Sequence, residues 1–428
     1  MHKKTAQFSQ TEATGHSMYL KSIALLLTAL FAMAFAGEAA AHGERAQQAN
    51  LRMRSINWYD MKFSSTSVEV GQLLTITGRI QASKYWPEHL PSVAGRVFLN
   101  VGTAGPNFIR VKSSINGQSM VQSTSLELGK TYDFEMVLKA RRPGRFHVHP
   151  VMNVLDSGGM IGPGLWVTVT GDQADFTNTV ETMFGRTIDL ETYNLGTIIT
   201  WHAIWVLVAL AWIAFWARKR PLIIPRFRAV QALEEAGKDP DELITPTERN
   251  VAIGFLVATL VLVGIGYQWA QAEYPVTTPL RTAKVNVEPL DLGKPLVDVK
   301  LDQARYRIPG RSFQMDLTVT NHSRSPIRLA EFDIANIRFL NPEVIEGKPL
   351  DDHDMVVPAG LRVEGGAIAP GKTGILKVYA EDAMWETQRL TNMINDPDSI
   401  VAGLLFFHAE DGQRDIVEIG GPMLPIFE

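Results

Sequence analysis

His147 and His149 stand two residues apart in the run Arg145-Phe146-His147-Val148-His149, directly after the turn sequence Arg142-Pro143-Gly144. On a strand, residues i and i+2 share a face, so both imidazoles project together while Phe146 and Val148 pack behind them. Two neighbouring imidazoles make half of a metal site, and they equally make a structural or surface pair. His42 tips the balance towards a metal. If the chain is cut after Ala41, His42 carries both a ring nitrogen and an α-amino group, and an amine with a pKa of about 7.7–8.0 can lose its proton and chelate near neutral pH. The chain has no cysteine, which excludes disulfides, thiolate-bound zinc, iron–sulfur clusters and thiol nucleophiles. A site of His42, His147 and His149 is therefore all nitrogen, a set that suits Cu(II). Zinc is the alternative, but a zinc hydrolase also wants a carboxylate base or water-orienting group, for which only Glu44 is near in sequence.

The cut itself is written in the sequence. Met18 to Ala41 has a lysine at Lys21, an apolar run from Ile23 to Ala36 and the small residues Ala39, Ala40 and Ala41, the pattern of a secretory signal peptide. Residues 1–41 are expected to be this leader, with 1–17 an upstream extension. Two later segments are long enough to cross a bilayer: 195–217, whose one ionisable residue is His202, and 251–270, which has none. Tryptophans crowd the first, at Trp201, Trp205, Trp212 and Trp216, as at a membrane interface. Arg218, Lys219, Arg220, Arg226, Arg228 and Arg249 all lie in the connecting loop 218–250. Positive residues stay in the cytoplasm, so this loop is expected inside and both flanking regions outside, in agreement with the leader. His202, ionisable and near a helix end, is expected at the interface.

The expected organisation is an exported domain over 42–190, a helix pair over 191–272 and a second exported domain over 273–428. Both exported parts read as β. Tyr132, Phe134, Met136, Leu138 and Ala140 alternate with polar neighbours, as do Phe313, Met315, Leu317 and Val319. Turn signals at Arg142-Pro143-Gly144 and Pro309-Gly310 point to antiparallel sandwiches, and the cytoplasmic loop is expected to hold a short helix near 229–236. Leu128-Gly129-Lys130-Thr131 and Pro370-Gly371-Lys372-Thr373 each precede an alternating run, a local likeness that hints at duplication and is short enough to be chance. The remaining exported histidines, His89, His322, His353 and His408, are isolated in sequence. A formal net charge of −4, without a basic run, argues against nucleic acid as a partner. The near-zero mean hydropathy averages a leader and two apolar helices with two ordinary polar domains.

These strings together resemble a family. HGERAQQANLRMRSINWYD from His42, FLNVG at 98–102, LKARRPGRFHVH at 138–149, MIGPGLW at 160–166, IPGR at 308–311 and AGLLFF at 402–407 are similar, in order, to the B-type subunit of the copper membrane monooxygenases, the particulate methane and ammonia monooxygenases. The resemblance covers essentially the whole chain after the leader. It implies a mainly β fold of two cupredoxin-like antiparallel β-sandwich domains joined by two transmembrane helices in a bacterial inner or intracytoplasmic membrane, with both β domains in the periplasm. It implies assembly with two polytopic membrane subunits, the A and C types, the protomer repeated as a trimer in membrane lipid. It implies copper held by His42, His147 and His149, and insertion of an oxygen atom from O2 into a small substrate, methane first and ammonia or a short hydrocarbon behind it, with reductant from a quinol. The oxygen chemistry can reside in a partner subunit. Some relatives bind a second copper through two further histidines, and Asn57 and Gln81 stand at those positions here, so that second site is expected to be absent. A reading from another class is a membrane-tethered copper carrier or assembly scaffold using the same ligands.

Overall fold

The computed structural model describes residues 47–182, 184–219, 224–275, 284–308, 312–345, 355–395 and 398–427. Residues 1–41, expected as a leader, and His42, Glu44, Pro309-Gly310 and His353 lie outside the described residues. The chain forms two compact units, one made of residues up to Phe176 together with those from Ala283 onward, the other of Thr177–Thr282.

The first unit opens with the short helix α1 (Ala49–Arg54). Six residues are too few to hold a helix alone, so its fixing comes from packing. The buried Arg52 guanidinium donates to the carbonyls of Gln388 at 2.8 Å and Ala335 at 3.0 Å, and Arg54 pairs with Asp398 at 2.8 Å. The strands β1 (Ile56–Phe63), β2 (Ser67–Glu69), β3 (Leu73–Ala82), β4 (Val97–Gly102), β5 (Phe108–Ile115), β6 (Gln118–Ser119), β7 (Thr131–Ala140), β8 (Gly144–Val154), β9 (Gly158–Ile161) and β10 (Leu165–Thr170) follow. They form two sheets, β1-β3-β7-β5-β6 and β2-β10-β8-β4 with β9 paired to β8. The alternation expected in β7 is real: Tyr132, Phe134, Met136, Leu138 and Ala140 are all buried. Across the gap Phe146 and Val148 of β8 close the core, with Phe108 edge-on to Phe146 at 6.1 Å. Within these two sheets one pairing departs from the antiparallel expectation. β2 runs parallel to β10, which the long intervening chain makes possible.

In the second unit β11 (Thr179–Glu181) and β12 (Thr187–Asp189) form a two-stranded hairpin leading into α2 (Leu195–Lys219). Next come α3 (Ile224–Glu235) and α4 (Pro246–Glu273). α3 starts earlier than the sequence suggested, with Pro225 in its first turn, where a missing N–H costs nothing. α4 also starts before the apolar run. Thr245 caps it by accepting from the Glu248 N–H at 3.3 Å, and the Glu248 carboxylate accepts from the Thr245 N–H at 2.8 Å. Both α2 and α4 contain windows long and apolar enough to cross a membrane, and neither window is buried against protein. Trp212 and Phe255 join the two helices at 5.0 Å.

The chain returns to the first unit with β13 (Val297–Ile308), β14 (Ser312–Asn321), β15 (Ile327–Ile334), β16 (Ile337–Leu340), β17 (Val356–Val357), β18 (Leu361–Glu364), β19 (Thr373–Glu381), β20 (Ile400–Ala409) and β21 (Arg414–Phe427). Their order is β17-β16-β15-β20-β21-β13-β14-β19-β18. Phe313 of β14 stacks on Phe332 of β15 at 5.9 Å although three strands separate them in that order, so the sheet curls over a shared core. The curl runs through β21, whose Arg414–Pro422 half pairs antiparallel with β20 and whose Met423–Phe427 half pairs parallel with β13. Gly129 and Gly371 both sit at positive φ, +74° and +68°, just before β7 and β19. That shared turn requirement accounts for the glycine common to LGKT and PGKT.

Candidate metal centre

β8 and its neighbours place the histidine pair. In β8, Phe146 and Val148 turn into the core, so Arg145, His147 and His149 share the other face. The two imidazoles come together with ring centroids 4.3 Å apart and planes at 88°. His147 stands opposite Trp166 of β10, whose indole lies 4.9 Å from its ring, and the Arg145 guanidinium covers the same indole at 4.9 Å. His149 stands opposite Gly102 of β4 and is only 6% exposed.

The cover over His149 is the segment Gly162-Pro163-Gly164 between β9 and β10. A Cβ on Gly164 would lie 2.5 Å from His149 Cε1 and Nδ1 and 3.0 Å from His147 Cε1, so only glycine lets the backbone close over both rings. At Gly162 a Cβ would meet Pro150 and the Trp58 indole at 2.8 Å. The Gly162 carbonyl lies 3.0 Å from His149 Nδ1. A carbonyl can only accept, so Nδ1 carries the proton and the ring lone pair is on Nε2. Such a hydrogen bond is the usual device that orients a metal-binding histidine. The residues therefore fit a metal: two converging rings, one with its tautomer set, in a cradle that a side chain would fill. Among the described residues no group of three His, Asp or Glu side chains completes it.

Gln47, the first described residue, sits beside this cradle. Its side-chain amide donates to the Gly159 carbonyl, and its side-chain oxygen accepts from the Ile161 N–H at 3.2 Å. Ile161 is the β9 partner of Val151, two residues beyond His149. Gln47 is thus held one residue from the carbonyl that bonds His149. Gln47, Gly162, Gly164 and Trp166 carry this geometry. The motif MIGPGLW contains three of them, but spacing alone does not tell which ring a glycine must clear.

Asn57 and Gln81 are direct partners across β1 and β3. Asn57 is buried, and Gln81 Nε2 reaches the Glu418 carboxylate of β21 at 3.5 Å. Glu418 also accepts from Ser83 Oγ at 2.5 Å and from the Lys84 N–H at 3.1 Å, joining the two β regions. Burial pushes its carboxyl up from the ordinary value, with the Ser83 and Lys84 bonds opposing. Three of the other described histidines have partners of their own. His322 pairs with Asp298 at 2.7 Å, and His202 on α2 turns its Nδ1 to the Ile198 carbonyl one helical turn back, at 2.7 Å. The half-buried His408 lies 3.8 Å from Glu331, and burial lowers its pKa.

Comparison with known proteins identifies a family and a relative. The family described as the monooxygenase B-subunit protein matches residues 43–427. A protein named particulate methane monooxygenase alpha subunit, from Methylococcus capsulatus (strain Bath), is 47% identical over 407 residues, covering 94% of this chain and 96% of its own. Among solved structures, the cupredoxin domain of amoB from Nitrosocaldus yellowstonii aligns with 28% of this chain and 91% of its own, at 17% identity and a TM-score of 0.23.

Proposed function

The chain belongs to the monooxygenase B-subunit family, and from that premise we propose that it is the copper-holding subunit of a membrane complex that hydroxylates methane. It is a subunit of a multi-subunit monooxygenase and carries two helices apolar enough to span a membrane. Methane is favoured because the 47% identical relative is named a methane monooxygenase subunit. The overall reaction is methane, O2 and quinol giving methanol, water and quinone. One oxygen atom enters the C–H bond and the other leaves as water with the two quinol hydrogens.

The observation that carries the copper assignment is the position of Gln47 beside the cradle. His42 lies five residues earlier, and five residues span at most about 18 Å, so an amino-terminal His42 is within reach of His147 and His149. Those three residues would hold the ion, which supplies a one-electron redox centre when bound. Gly164 and the Gly162 carbonyl orient the rings, and Trp166 flanks His147. Asn57 and Gln81 are amides, Gln81 already engaged by Glu418, which supports the absence of a second copper there. The basic residues between α2 and α4 support a cytoplasmic connection, with both β regions in the periplasm. The partners in this reading are two polytopic membrane subunits, in a protomer repeated three times.

The test is metal analysis of the complex isolated from membranes, for the native chain and for His147→Ala and His149→Ala, beside methane-dependent O2 uptake. Each variant should lose the copper attributable to this subunit. Unchanged copper content would overturn the ligand assignment, and amino-terminal sequencing that starts anywhere but His42 would remove the amine. A complex that oxidises ammonia and leaves methane untouched would move the substrate.

A further inference from the structure

The β11–β12 hairpin carries an apolar face on which Val180 is exposed and Ile188 half-buried. Val180 and Ile188 are direct cross-strand partners, so they share one face, while Thr179, Glu181, Thr187 and Asp189 take the other. Beyond them the turn presents Phe184 at 74% exposure, and the exit strand leads to Leu190 at 51%. The turn is closely hydrogen-bonded: the Thr182 N–H donates to the Arg186 carbonyl at 2.8 Å, the Gly185 N–H donates to the Thr182 carbonyl at 2.9 Å, and Gly185 takes a φ of +72°. A two-stranded hairpin alone is marginally stable in water, and one that spends its tip on an exposed phenylalanine needs a surface to cover it.

Continuity with the helix pair says what that surface is. Asp189 is followed by a short turn over 190–194 and then by α2, so the hairpin sits where the first apolar helix emerges. Asp189 organises this junction by accepting from the N–H groups of Asn178 and Glu191, both at 3.0 Å. Asn194, at φ +58°, donates to the Tyr274 hydroxyl just past the end of α4, and Tyr274 packs edge-on to Trp269 at 6.2 Å. Tyr193, Trp269 and Tyr274 therefore gather at one end of the pair, and the hairpin that carries Phe184 and Arg186 joins the chain at this same end. Amphipathic aromatics with a basic side chain are the composition expected at headgroup level.

We propose that the 179–189 hairpin is a bilayer-surface anchor, lying in the phospholipid headgroup region beside the ends of α2 and α4 with Phe184, Val180 and Leu190 seated among the upper acyl chains. It would fix the depth at which this end of the helix pair rests. The inference depends on α2 and α4 crossing the membrane, and the test separates the two.

The chain has no cysteine, so Phe184→Cys, Leu207→Cys and Val121→Cys each introduce a single labelling site in it. The whole complex is labelled with an environment-sensitive fluorophore and placed in phosphatidylcholine nanodiscs, part of whose lipid carries a nitroxide high on the acyl chain. Labelling of the cysteine-free chain in the same complex supplies the background. Leu207 is exposed in the middle of α2, and Val121 is exposed in the β unit. The F184C label should be quenched several-fold more strongly than the V121C label, with L207C also protected from water. Failure at L207C would overturn the membrane reading of the helices. Protection at L207C with F184C no more quenched than V121C would overturn the anchor alone, and so would an F184C label that is blue-shifted but unquenched, since a partner protein would then cover it. Leu190→Cys repeats the measurement if F184C does not assemble.

Discussion

Gly164 passes over His149 so closely that a single added methyl group would lie 2.5 Å from two atoms of the ring. The same methyl would press on His147 at 3.0 Å. Both rings are therefore positioned by the absence of a side chain as much as by β8.

Gly164→Ala should weaken copper binding by about 10–100-fold, the range typical of losing an orienting neighbour, with the β fold retained. Competition against a copper chelator, with the EPR spectrum of the bound ion as a second readout, measures this. Native affinity in the variant would mean that the cradle does not control the rings.

Arg52 joins the start of the chain to its far end through two carbonyls, and its loss leaves both without their charged donor. Arg52→Ala should destabilise the β unit by roughly 3 kcal/mol. Arg52→Lys should recover little, because a single ammonium cannot reproduce a planar fork that serves two acceptors. Thermal and denaturant unfolding of the complex in detergent reads the effect, and an unchanged midpoint for Arg52→Ala would contradict it.

Glu418 makes the join between the β regions sensitive to pH. Burial raises its folded-state pKa above the ordinary 4.5, so the folded state binds the proton more tightly than the unfolded one. Its contribution to stability is complete below pH 4.5 and is lost as the pH rises through the raised value. Glu418→Gln should flatten that part of the stability profile. Identical pH profiles for the two proteins would show that the carboxyl is not held protonated.

Much of this was legible in the residues, and the reasons are local. Phe134, Met136 and Leu138 alternate because one face of β7 meets a core, and that demand is visible within a few residues. The helix pair is visible because a membrane asks for length and apolarity alone, and His147 and His149 because i and i+2 on a strand must point together. The rest rests on contacts between distant residues. Nothing in the run from Arg414 to Phe427 announces that it pairs with β20 and then changes partner to β13. Nothing near Gln47 announces Ile161, 114 residues away. The roles of Gly162 and Gly164 depend on which rings lie beneath them, and periodicity carries no record of that.

The attachment of α1 also sets an order of events. Arg52 takes two carbonyls and Arg54 a carboxylate from residues 283 to 344 further along the chain, while Arg54 Nε donates to the Tyr85 carbonyl and Gln47 is held by Gly159 and Ile161. The amino-terminal stretch, although made first, completes its contacts only when these later segments have been made. A centre that takes a ligand from that stretch would then be shaped in two stages, first on β9 and later by the segments that fix α1.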